Sequence, residues 1–163
     1  MPKVVNLLTN VVSSSTSLPA VILDGNYVPA GSTKTLNVTD HYRATVLLDT
    51  AAGSTVTLPA ATGSGVVFRF VVTVSCTSNN HVIKVANAND TMVGTLLSTT
   101  IAGTAPFSDA AGGTDDTITL GPTTTSGLIG GVVLVEDVKP NVWLIDGRVI
   151  GSGTLITSLS ATV

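Results

Sequence analysis

The sequence predicts an all-β fold, an antiparallel sandwich or barrel-like domain of about ten strands behind an extended N-terminal arm. Three observations carry this expectation. Residues 66–75 hold a period-2 apolar set, Val66, Phe68, Phe70, Val72 and Val74, with two of the three phenylalanines of the chain. β-branched residues dominate throughout, and their stiff side chains favour the pleated backbone. Nowhere does an apolar set recur at helical spacing over a useful length.

Residues 3–12 are apolar with Asn interruptions and read as an arm or a first strand. A hydroxyl-rich break at 13–17 and an apolar run at 18–23 precede Asp24-Gly25-Asn26, a strong turn signal. The reading divides the chain into residues 1–30, the N-terminal arm or first strands, and residues 31–163, a single β domain. Strands are expected at 35–38 and 44–48. Residues 55–58 then alternate hydroxyl and aliphatic until Pro59, which cannot donate to a ladder. The loop 60–65, the core strand, an Asn turn at 78–80 and the alternation of His81, Ile83 and Val85 complete what reads as three sequential antiparallel strands, a meander.

Further on, 86–90 is a turn, 91–97 a strand, and 101–116, rich in Gly, Ala and Asp, a surface loop. Residues 117–120 form another alternating strand, and 132–135 a continuous apolar one. Lys139-Pro140-Asn141 turns the chain into a strand at 142–146 that holds the only tryptophan, Trp143, and Gly147 should break it. The tail 154–163 alternates apolar and hydroxyl residues and is expected to pair with a neighbour. Thr55-Val56-Thr57-Leu58-Pro59 followed by a Val-rich strand is echoed by Thr117-Ile118-Thr119-Leu120-Gly121-Pro122 followed by another.

Composition points to a protein that works through its surface. Charged residues make up 10% of the chain, against about 25% in an average domain, while about a quarter is Ser or Thr. A surface with so few charges is built from hydroxyls, backbone and aliphatics, and it favours burial against other chains. Mean hydropathy is +0.52, yet no apolar run reaches the length of a membrane span. A net charge of −3 supplies no basic patch for nucleic acid. The start of the chain is a poor signal peptide. The single cysteine, Cys76, cannot form an internal disulfide, reads as a small buried hydrophobe, and suits a reducing compartment.

Chemistry-bearing patterns are sparse. His41 and His81 are too few for a metal motif and read as structural. Gly63-Ser64-Gly65 lacks the pattern and the following helix of a phosphate cradle, so its glycines are assigned to a tight connection. Asn87, Asn89 and Asp90, and separately Asp115 and Asp116, could offer oxygens to calcium but lack a full ligand set, so turn capping is the expectation. Two N-x-[ST] matches, at Asn37 and Asn89, are the chance product of a Thr-rich chain. No catalytic, cofactor-binding or metal residue is predicted, and the chain is not expected to be an enzyme.

The phrases TVTLPAATGSGVVFRFVV, HVIKVANANDTMVGTL, DDTITL and NVWLIDGRVIGSGT, which together span residues 55–154, resemble small virion proteins of tailed bacteriophages, in particular head decoration (cement) proteins. Similar phrases occur in phage tail spikes and fibres, so a tail fibre or tail spike component is the alternative. The resemblance implies a homotrimer that binds the outside of the major capsid protein lattice and stabilises the head, with no nucleic-acid or membrane partner and no cofactor. It places the protein in the virion, after synthesis in the bacterial cytoplasm. The N-terminal arm is then expected to contact capsid or a sister subunit. A small enzyme or sugar-binding module is the third class, disfavoured by the six aromatic residues of the chain.

Overall fold

The computed structural model of the chain describes residues 26–103 and 107–163. Twelve strands run through them: β1 (Tyr27–Pro29), β2 (Thr33–Thr35), β3 (Thr45–Leu48), β4 (Thr55–Thr57), β5 (Val67–Val72), β6 (His81–Lys84), β7 (Thr91–Thr100), β8 (Phe107–Asp115), β9 (Thr117–Leu120), β10 (Val132–Lys139), β11 (Val142–Gly151) and β12 (Leu159–Ser160). The fold is all-β, with no helix among the described residues. Its strands form a seven-stranded sheet, β1-β3-β5-β10-β11-β7-β8, and a five-stranded sheet, β12-β9-β6-β4-β2. Both sheets are mixed and neither closes into a barrel, which corrects the antiparallel expectation.

The correction comes from the first half of the chain. From β1 to β6 successive strands alternate between the sheets, so that β1, β3 and β5 lie parallel in one, and β2, β4 and β6 parallel in the other. The expected meander of β4, β5 and β6 is therefore a coil with two strands per turn. Period-2 patterning cannot separate these outcomes, because each strand buries one face either way. Connection length does separate them: residues 58–66 and 73–80 are too long for tight hairpins and long enough to arch across the about 10 Å between packed sheets.

Two antiparallel hairpins, β7-β8 and β10-β11, complete the larger sheet, and β7 and β11 pair in parallel from Thr91↔Val142 to Thr100↔Gly151. β9 lies antiparallel on β6, and β10 antiparallel on β5. The internal echo thus corresponds to a repeated step, a strand of the small sheet (β4, β9) leading to a strand of the large one (β5, β10). One hydrophobic cluster joins both inner faces. Phe68 and Trp143 meet at its centre with ring centroids 6.1 Å apart. Of the period-2 set, Val66, Phe68, Phe70 and Val72 are buried, while Val74 lies beyond the end of β5 and is exposed.

Other expectations also change. The strand expected at 35–38 is displaced to β2, and the one at 142–146 continues to Gly151. Gly147 does not break it. A Cβ there would sit 2.7 Å from the Val132 carbonyl oxygen and 2.9 Å from a Leu96 methyl, so glycine permits this close crossing. Most of the expected loop 101–116 is β8, formed from residues of low strand propensity because β7 offers a long template. Within the tail, β12 pairs with β9 of its own chain. Of the expected arm, residues 1–25 lie outside the described residues, and 27–29 form β1.

Candidate interaction surface

The buried aspartates and His81 are engaged within the fold. Asp137, at the end of β10, is 1% exposed. Its carboxylate accepts the backbone N–H groups of Thr62, Gly63 and Ser64 at 2.7–3.0 Å, and the Ser64 hydroxyl at 2.7 Å. Gly63, with φ +81°, lets successive N–H groups converge in this way. The glycine loop that sequence reasoning excluded as a phosphate cradle does hold an anion, the chain's own aspartate. Burial acts to raise the Asp137 carboxyl, but the donors of Ser64, Thr62 and Gly63 outweigh it and hold it below the usual carboxylate range.

Three further aspartates act alike. Asp116 accepts the N–H groups of Thr162 and Val163 and the Thr117 hydroxyl, fastening the tail. Burial is again opposed, here by these donors and by the charge of Lys84, and the carboxyl is lowered. Asp109 accepts the Thr157 hydroxyl and the Ser158 N–H. Asp90 accepts from Ala61 N–H and the Asn87 amide, while Asn87 caps Asn89 N–H. The residues weighed as calcium ligands are thus turn caps and clamps, and Asp115 sits at the end of β8. Among the described residues no cluster of three or more His, Cys, Asp or Glu is placed to hold a metal ion.

His81 is buried. Its Nδ1 accepts Ser54 N–H at 3.2 Å, which leaves Nε2–H to donate to the Val74 carbonyl at 2.9 Å. Burial lowers its pKa, against the weaker pull of that carbonyl and of Asp49. His41 accepts Asn37 N–H within an exposed turn, where the Asn37 side chain bonds Asp40. Cys76 is buried as expected, its thiol donating to the Leu120 carbonyl and its pKa raised by burial.

The outer face of the seven-stranded sheet is the feature that faces outward with chemical character. Strand register aligns Thr45, Arg69, Leu134, Asp146 and Thr95 in one row across β3, β5, β10, β11 and β7. A second row runs Leu47, Val71, Val132, Arg148, Leu97, and a third Val67, Glu136, Leu144, Val93. Leu97, Leu134 and Leu144 are each more than a third exposed. Two open depressions meet at Leu134 and Asp146. Two arginines and two acidic residues set into an aliphatic field suit contact with another protein surface.

Sequence reasoning did not single out this face, although a signal was present. Apart from Arg69 and Glu136, the second period-2 phase of β5 and β10 is also apolar, and once one phase fills the core the other must cover an outer face. Comparison with known proteins finds no matching family, no matching characterised protein and no matching solved structure.

Proposed function

We propose that this chain is a decoration protein of a tailed-bacteriophage head, binding as a homotrimer to the outside of the major capsid protein lattice and stabilising the shell. The observation that carries the reading is the aliphatic, charge-balanced outer face of the seven-stranded sheet, on a fold whose buried aspartates and His81 are spent on internal bonds. The phrase resemblance over residues 55–154 gives that surface its partner. A ligand that binds the assembled lattice and not free subunits stabilises the assembly by mass action. This role needs contact area and strand-forming chain, and no reacting group. Gold-labelled antibody against the protein is expected to decorate heads of intact virions; label confined to tails would refute the proposal.

One observation favours a tail spike or fibre component instead. The parallel two-sheet coil of β1 to β6 is an architecture that lengthens by adding turns, as a shaft requires. Fractionation of disrupted virions separates the readings, since a spike component travels with tails.

A further inference from the structure

Two connections lie against each other at one end of the sandwich, residues 49–54 between β3 and β4 and residues 73–80 between β5 and β6. Thr73 and Val74 donate their N–H groups to the Leu48 carbonyl, Thr77 N–H to that of Ala51, and the Asn79 amide to that of Ala52. A Cβ at Gly53 would run into the Asn80 carbonyl, so the approach is close. The bonds of Thr77 and Asn79 are exposed, where water replaces a lost partner at small cost. Cys76 is the one buried residue of 73–80. A segment with so few buried contacts opens at a lower cost than the whole fold. His81, which follows it directly, is its other buried anchor.

We propose that His81 is a proton-operated latch, whose protonation releases residues 73–80 from residues 49–54 and uncovers the Cys76 thiol. The neutral ring holds both segments at once, accepting Ser54 N–H at Nδ1 and donating from Nε2 to the Val74 carbonyl. A proton on Nδ1 turns the acceptor into a donor, so that two N–H groups face each other across the same 3.2 Å. Ser54 is fully buried, and its N–H finds no water in exchange. A buried donor left unpaired costs more than the exposed bonds that close the segment, so the cation favours the open arrangement. The groups around the ring do not reverse this. Asp49 is the one carboxylate of residues 49–54 and favours the cation, but burial outweighs it. Cys76, whose sulfur faces the His81 backbone N–H, is the one titratable group of residues 73–80, and β4, β9 and residues 121–131 carry none. Opening also takes Cys76 N–H from the Gly127 carbonyl and the Ser75 hydroxyl from Ile129 N–H, so residues 121–131 lose two anchors. The inference stands apart from the decoration reading, and its test uses no capsids.

The test is the rate at which 4,4′-dithiodipyridine labels Cys76 in the full chain from about pH 8 to about pH 5, divided at each pH by the rate for the urea-unfolded chain. The quotient is an opening constant. It should exceed the unfolding constant from urea titration at the same pH by at least about tenfold, as a local opening requires. It should also rise as pH falls below 6.5, by up to about 30-fold at pH 5, because the open segment takes up the proton before the closed one does. The rise should stop where the His81 ring of the native chain itself titrates, read from its ring-nitrogen NMR signals, and should vanish in His81→Gln, which cannot charge. An opening constant equal to the unfolding constant, one indifferent to pH, or an unchanged rise in the variant would each overturn the proposal. If the variant does not fold, a rise that continues after the native His81 ring has charged overturns it equally.

Discussion

Asp137 gathers three consecutive backbone N–H groups from a loop 73 positions away in sequence, Ser64 being the last of them. Asp137→Ala strands those donors, although the loop is exposed enough for water to reach them. The expected cost is about 2 kcal/mol, read as a lower urea midpoint with an unchanged slope. The pH dependence follows from the same residues. Asp116 and Asp137 have folded pKa values below the unfolded 3.8, so their contribution is whole above that value and fades as pH falls through it. His81 is lowered from 6.5; the unfolded chain takes up its proton first, so stability falls as pH drops below that point. Urea unfolding from pH 8 to 3 should show an early loss beginning near neutrality and a later one below about pH 4. His81→Gln, which keeps a donor and an acceptor, should remove only the early loss. His81 and Cys76 were legible as structural because few alternatives existed for a lone residue. Asp137 was not, since nothing in the phrase VLVEDVKP names a partner so distant in sequence.

At the scale of elements, the strands were more legible than their partners. Alternation identified β3, β4, β6 and β9 nearly to the residue, because one wet and one dry face leaves a period-2 mark. It carried no information on whether β4 and β6 would flank β5 or lie beside each other in a different sheet. β8 was misread as a loop because Ala, Gly and Asp lack strand propensity, and only pairing with β7 holds them extended. Glycines mark the close approaches within this sheet. Gly94 has φ +126°, and a Cβ there would run into the Ile145 carbonyl on the neighbouring β11. Gly94→Ala is therefore expected to cost about 3 kcal/mol, through strain and separation of β7 from β11. Thermal unfolding of the variant checks this, and an unchanged midpoint would contradict the proposed close crossing.

For the whole molecule, a sheet whose inner face is sealed by Phe68 and Trp143 leaves its outer face free to carry aliphatic side chains, and Leu134 stands at the centre of that face. Leu134→Arg should leave the urea midpoint within about 0.5 kcal/mol of the native chain, as for other surface changes, while weakening attachment to the lattice at least tenfold. The most direct measurement is co-sedimentation of the purified protein with undecorated phage heads across a concentration series, with the Leu134→Arg variant alongside. Saturable binding of the native protein, a raised temperature of head disruption at saturation, and loss of both effects in the variant are the expected results. Native protein left wholly in the supernatant at every concentration would contradict it.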